Sequence, residues 1–262
     1  MQEKKRILVA PLDWGIGHAT RCIPIINHLL EHGFEVIIAA DKRPLHLLSI
    51  EFPKLEIIRL EGYNITYPTV LPMSISMILQ IPKILMNIKK ENNLLKEIIK
   101  DYRIDGVISD NRFGLYSNSI PCVFMTHQLN IQSPFLNSYI QTRNYRYINK
   151  YSKCWIVDDK QINIAGILST PKKMPNKYKF IGIQSRFNKK SRDIKYQFLA
   201  IVSGPESQRK ILENGLIKVL KKRNEKSLIV LGKPEVEEER KIGNLTIKSH
   251  LNAEDLNNAI IE

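Results

Sequence analysis

Asp13, His18 and Arg21 sit close together in the run Pro11-Leu12-Asp13-Trp14-Gly15-Ile16-Gly17-His18-Ala19-Thr20-Arg21. An imidazole titrates near neutrality and can take or give a proton, and a carboxylate can do the same or hold a cation. A guanidinium can hold an anion. Gly15 and Gly17 let the backbone approach a ligand closely, and free amides at a helix start favour an anion or a polar oxygen. The run follows Ile7-Leu8-Val9-Ala10, which reads as a buried first strand, and precedes Cys22–Leu30, which reads as a helix with one apolar face. His18 is therefore expected where that helix begins, facing the crevice at the strand ends. Two further segments end in groups of the same kind. Asp110 closes Asp105–Asp110, with Asn111 and Arg112 behind it, and His127 follows Pro121–Thr126.

The elements that must position these side chains alternate along the chain. Strands are expected at Phe34–Ala40, Leu55–Leu60, Asp105–Asp110, Pro121–Thr126, Cys154–Val157 and Lys179–Ile183. Helices are expected around Leu45–Glu51, from about Ser74 to Tyr102 with a kink or break at Pro82, and from about Pro134 to Lys150. Short apolar strands alternating with helices imply a parallel, doubly wound α/β sheet over residues 1–184. Residues 185–195 are polar and basic and read as a linker. A second strand-turn-helix follows at Phe198–Val202, Ser203–Arg209 and on to about Arg223, then strands at Ser227–Leu231 and Leu245–Lys248 and a helix at Ala253–Ile261. Residues 196–262 are thus expected to form a second, partial domain, about half of the roughly 100–150 residues that is usual.

Composition narrows the classes. The 262 residues carry a formal charge of +14 with 43% hydrophobic content, an ordinary balance for a soluble protein apart from the basic excess. That excess suits phosphorylated substrates, anionic lipid or nucleic acid; a chain rich in Lys, Ile and Asn also arises from base composition alone. No apolar run is long enough to span a membrane, and no signal-peptide core precedes the first strand. Three widely spaced cysteines, Cys22, Cys122 and Cys154, form neither a disulfide framework nor a metal knuckle and suit a reducing cytoplasm. Thr20 stands where a dinucleotide fingerprint needs its third glycine, and no Gly-Lys-Ser/Thr makes a P-loop. Arg143, Arg146, Lys150 and Lys153 interleave with Tyr145, Tyr147 and Tyr151, but no nucleic-acid module surrounds them, so no nucleic acid is expected. Met73–Lys90 is very apolar with Lys83, Lys89 and Lys90 at its edge. It fits a membrane-surface helix with a basic rim, and equally a helix buried against the sheet.

The Gly15-Ile16-Gly17-His18 turn within a two-sheet chain resembles the GT-B glycosyltransferases, in the branch containing the lipid-linked N-acetylglucosamine transferase of peptidoglycan synthesis (glycosyltransferase family 28) and the plant galactolipid synthases. Pro11–Ile25, Ile108–Tyr116 and Val123–Leu129 are similar to a bacterial subgroup of that branch, and Ser203–Arg209 is similar to the glycine loop that opens its donor domain. The resemblance implies two Rossmann-like domains facing a cleft, the first binding the acceptor and the second a nucleotide sugar. It implies transfer of a sugar, N-acetylglucosamine from a UDP donor, to a lipid-linked or envelope glycan acceptor with inversion, without metal or cofactor. A cytoplasmic enzyme, peripheral on the inner face of an anionic membrane, follows from the same likeness.

Such a reaction needs a base for the acceptor hydroxyl and positive or amide groups for the leaving diphosphate. His18 is the first candidate base; it can also merely bond the acceptor or cap the turn. Asp13 and Asp110 are the alternatives, and either can instead hold a loop. Gly15, Gly17, Arg21, Asn111, Arg112 and His127 are expected on the acceptor side, His127 being open to a structural role as well. Ser203 and Gly204 are expected to offer amides to the diphosphate, with Gln208 and Arg209 beside them in the first helical turn; Arg209 also fits a solvated surface. Glu206 would oppose phosphate and is expected to order that loop or cap the helix. Members of the resembled family continue past the last helix into another glycine/serine turn and a ribose-binding acid. The end at Glu262 is therefore expected to leave the donor domain truncated. Two rival readings follow, a non-catalytic remnant that keeps an acceptor or membrane site and a sugar-nucleotide epimerase of the same fold.

Overall fold

The computed structural model describes residues 4–63, 79–132, 137–171, 174–189, 193–204 and 206–261. Two sheets organise them. The first has seven parallel strands in the order β3-β2-β1-β4-β5-β6-β7: β1 (Arg6–Pro11), β2 (Glu35–Ala40), β3 (Glu56–Arg59), β4 (Gly106–Asp110), β5 (Cys122–Thr126), β6 (Lys153–Ile156) and β7 (Tyr178–Phe180). The chain order reverses between β1 and β4, so the crevice for a ligand opens outside the carboxyl ends of these two strands. The strands are near-continuous apolar runs because both faces are covered. Leu8 and Ala10 of β1, with Val107 and Phe124, pack on one face under α3 (Ile81–Asp101) and α4 (Asn137–Ile148). Val9, Ile108 and Met125 pack on the other under α1 (Ile16–Glu31) and α2 (Lys42–Glu51).

Local chemistry sets the ends of these elements. Gly33 follows α1 with φ +80, the left-handed position that a helix C-terminus favours, and its amide bonds to Leu30 O. Of the expected kink or break at Pro82, the described residues show a break, with Leu79 helical, a turn at Gln80 and a new helix from Ile81. Pro82 lies in the first turn of α3, where its missing N–H is no loss. The expected start of that helix near Ser74, and that of α4 at Pro134, fall outside the described residues.

The second sheet has four strands in the order β10-β11-β9-β8: β8 (Phe198–Ile201), β9 (Ser227–Val230), β10 (Glu239–Ile242) and β11 (Leu245–Lys248). α5 (Glu206–Leu220) covers one face over Val202, Ile229, Leu245 and Ile247, and α6 (Ala253–Ile261) covers the other over Leu228 and Val230. β10 was not expected. Exposed along its whole length and highly charged, it carries no buried stripe to read, and it pairs antiparallel to β11 across Gly243 at φ +58.

The two sheets meet along α2. Arg43 Nε lies 2.7 Å from Glu235 Oε1. Glu51 Oε1 accepts from Arg186 Nη1 at 2.9 Å and from the Ala253 amide at 2.8 Å, so one carboxylate joins α2, the connecting segment and the start of α6. Beside them His250 is half-buried, and its Nε2 makes no hydrogen bond. Burial first, and then the charge of Arg186, push its pKa down to about 4. A folded-state value below the ordinary one of about 6.5 means that folding favours the neutral ring, so this contribution is complete above about pH 6.5 and is lost as pH falls toward about 4. The thermal midpoint is expected to drop across that window, and His250→Asn is expected to flatten the drop in a pH series of melting curves.

Candidate functional site

The register of β1 on β4 places Pro11 opposite Asp110, and Leu12 N bonds to Asp110 O at 3.0 Å. Two segments far apart in sequence therefore leave the sheet side by side. The first becomes the glycine loop and α1. Gly15 is its N-cap and offers no side-chain cap, there is no acid in the first turn, and a Cβ at Gly15 or Gly17 would meet no atom within 4 Å. The first-turn amides are thus left for another partner on an open face. The second segment turns sharply after Asp110, with Asn111 at φ +58 and Ser109 Oγ bonded to Arg112 O at 2.6 Å. Asn tolerates that left-handed backbone better than most residues.

Four side chains converge there. Asp110 is fully buried, and both of its oxygens are taken by Arg21: Nε donates to Oδ2 at 2.7 Å and Nη2 donates to Oδ1. His18 Nδ1 lies 3.1 Å from Asp110 Oδ2 and 2.9 Å from Arg21 Nη2. Arg21 Nη1 reaches His127 Nδ1. Burial opposes the Asp110 carboxylate, but the charges of Arg21 and His18 outweigh it and hold its pKa below the ordinary range. Burial likewise opposes the charge on Arg21, and the Asp110 carboxylate overrides it. Burial, helped by Arg21 and His18, pushes His127 down and keeps its ring neutral. A neutral imidazole oriented by a buried carboxylate at the mouth of a sheet can remove a proton from a bound hydroxyl.

The other expected residues divide. Asp13 lies just past the end of β1, where its Oδ2 accepts from Lys42 Nζ at 2.9 Å and a Cβ on Gly62 would overlap its carboxyl group. Arg112 is a correction: it is fully buried and presents no charge to an acceptor. Its Nε donates to Glu91 Oε1 at 2.5 Å and its Nη2 to Glu61 O at 2.5 Å, while Glu91 also takes the Tyr63 hydroxyl and the Gly114 amide. This network fixes the loop that carries Asp110 from below. Arg209 is a second correction. It too is buried, and its Nη1 donates to Leu231 O at 2.8 Å, tying α5 to the end of β9. Ser203, Gly204 (φ +109) and Gln208 remain exposed between β8 and α5. Pro205 and the side chains of Glu206 and Ser207 lie outside the described residues. Gly232 stands across from the glycine loop: a Cβ there would lie 3.5 Å from Ile16 Cδ1 and 2.7 Å from Val202 O. The carboxyl ends of both sheets thus face each other.

A family profile described as glycosyl transferase family 1 matches residues 5–167, more than half of the chain and the whole of this cluster. The chain belongs to that family. Solved glycosyltransferases share its architecture. The glycotransferase of kitacinnamycin is 14% identical with a TM-score of 0.53, aligned over 95% of this chain and 72% of its own. The calicheamicin glycosyltransferase CalG4 is 11% identical with a TM-score of 0.54, over 96% and 72%. The Streptomyces sp. SF2575 glycosyltransferase SsfS6, solved with thymidine diphosphate, is 14% identical with a TM-score of 0.52, over 93% and 71%. At these identities the likeness is one of fold, and that fold is GT-B. No curated protein matches the sequence.

Sequence reasoning gave Arg21 only an acceptor contact, whereas the structure puts it at the centre of the cluster. It did not single out Trp14, a partly exposed indole in the glycine loop beside the same crevice. Its signal was a large aromatic residue next to glycine in a loop, where a buried role is unusual.

Proposed function

We propose that this glycosyltransferase moves a sugar from a nucleotide donor to an acceptor hydroxyl by direct displacement, with His18 as the base. The observation that carries the reading is the contact of His18 Nδ1 with the buried carboxylate of Asp110 at the mouth of the sheet crossover. In the productive state His18 Nε2 takes the hydroxyl proton. The hydroxyl oxygen then bonds to the anomeric carbon while the bond from that carbon to the diphosphate breaks, which inverts the centre and releases the nucleoside diphosphate. Asp110 orients the ring and stabilises the imidazolium that forms. Asp13, held by Lys42, is an alternative base at the same crevice. His127, Asn111, Gly15 and Gly17 line the acceptor side. Amides around Ser203 and Gly204, with Gln208, receive the diphosphate.

UDP-N-acetylglucosamine as donor, and a lipid-linked or envelope glycan as acceptor, rest on the resemblance of the glycine turn. The start of α3 supports a lipid acceptor. Leu79 and Met86 are highly exposed there, next to Lys83, Lys89 and Lys90. The neighbouring α4, whose Tyr147 shares an apolar cluster with Ile84, Leu85 and Ile88 of α3, adds Arg143 and Arg146. A cytoplasmic enzyme resting by this face on an anionic membrane would meet its acceptor at the surface. Among the described residues no helix is long and apolar enough to cross a membrane. Co-sedimentation with anionic vesicles at low salt is expected and should fall as salt rises; absence of the protein from the vesicle pellet removes the membrane claim.

Titration calorimetry with UDP and UDP-N-acetylglucosamine tests the donor side. Saturable binding of both is expected, and a folded chain that binds no nucleotide sugar contradicts the reading.

A further inference from the structure

Arg21 and Asp110 make opposite demands on one atom. His18 Nδ1 lies 2.9 Å from Arg21 Nη2, which has only hydrogens to offer, and 3.1 Å from Asp110 Oδ2, which has only lone pairs. A neutral ring cannot satisfy both. If Nδ1 accepts from Arg21, its proton sits on Nε2 and the nitrogen on the far side of the ring is a donor. If Nδ1 donates to Asp110, Nε2 carries the lone pair that a base needs. The guanidinium is strongly placed for the first arrangement. Its Nε and Nη2 already grip both oxygens of Asp110, and Nη2, which carries two hydrogens, also lies 2.9 Å from His18 Nδ1. Meanwhile Nη1 meets His127 Nδ1, and a neutral His127 there must also carry its hydrogen on Nε2.

We propose that Arg21 is a positioning residue that sets the histidine tautomers of the site. In the free protein it holds Nδ1 of both His18 and His127 as acceptors, so both rings carry their hydrogen on Nε2. His18 becomes a base only when Asp110 replaces Arg21 at Nδ1. The groups facing His18 are Asp110 at the end of β4, Arg21 on α1 and, through Arg21, His127 after β5. The consequence for catalysis rests on the reading of His18 as the base, but the tautomer itself does not.

Long-range proton–nitrogen correlation spectra of the full chain, labelled with ¹⁵N at histidine, read the tautomer without substrate or turnover. His18→Gln and His127→Gln assign the two rings by loss of their signals. With both rings neutral, the native protein is expected to show Nε2 protonated and Nδ1 unprotonated for both. In Arg21→Met, which keeps the chain length and removes every donor, His18 is expected to switch to the Nδ1-protonated pattern toward Asp110. A native His18 already protonated at Nδ1 overturns the proposal, and so does a folded Arg21→Met chain whose His18 pattern is unchanged. The native spectrum alone decides if the variant does not fold. A chain with the expected tautomers and no transferase activity would instead contradict the functional reading.

Discussion

His18→Ala is expected to lower kcat/KM for sugar transfer by roughly 10²–10⁴-fold, the range that a positioned acid–base group supplies. Donor binding should survive, because the proposed diphosphate contacts come from the other sheet, at Ser203, Gly204 and Gln208. Calorimetry with UDP on the same variant separates the two effects: an unchanged Kd with the lost rate fits a base, whereas a matching loss of both fits a binding or structural role. Asp13→Asn offers the contrast. If His18 is the base, this variant should retain far more activity than His18→Ala. If Asp13 is the base, the order reverses.

The second large effect is on stability. Arg112→Ala leaves the Glu91 carboxylate in the interior without its counter-charge, and breaking such a buried pair costs about 3–5 kcal/mol. That is a large fraction of the net stability of a typical domain, about 5–15 kcal/mol. Urea unfolding of Arg112→Ala, Glu91→Ala and the double variant closes a cycle. The double variant is expected to lose clearly less than the two single losses together, since each single change already abolishes the pair. Additive losses would mean that the two residues act independently, against the 2.5 Å contact between them. The same network carries the Asp110 loop, so a destabilised Arg112→Ala chain should lose activity without any contact to substrate.

Much of the first sheet is legible in the sequence because its strands are short apolar runs separated by helices. Doubly covered parallel strands leave that signature wherever they occur, as at Gly106–Asp110 and Cys122–Thr126. β10 is not legible for the opposite reason: Glu239-Arg240-Lys241-Ile242 is an exposed edge whose pairing, and not its side chains, makes it a strand. The interruption at Pro82 is legible because proline suits only a first helical turn, and α3 starts just ahead of it after the turn at Gln80. At the site, the glycine turn and its histidine announce themselves by residue type. The partnership of His18 with Asp110 does not. It is made by the pairing of β1 on β4, and sequence shows only that both residues end strands. Charge misled at Arg112 and Arg209. A cation beside a proposed site suggests ligand contact, and only burial reveals that each guanidinium serves its own fold.

Transfer of a sugar releases a nucleoside diphosphate, and that release is its most direct measure. The purified chain would be incubated with UDP-N-acetylglucosamine, with and without vesicles carrying polyprenyl-linked glycan, and UDP and glycosylated lipid quantified by mass spectrometry. UDP release is expected to depend on the acceptor, to be matched by new glycosylated lipid and to fall by roughly 10²–10⁴-fold in His18→Ala. Equal UDP release by the native and His18→Ala chains would contradict that expectation, as would bound donor that is never turned over with any hydroxyl acceptor supplied.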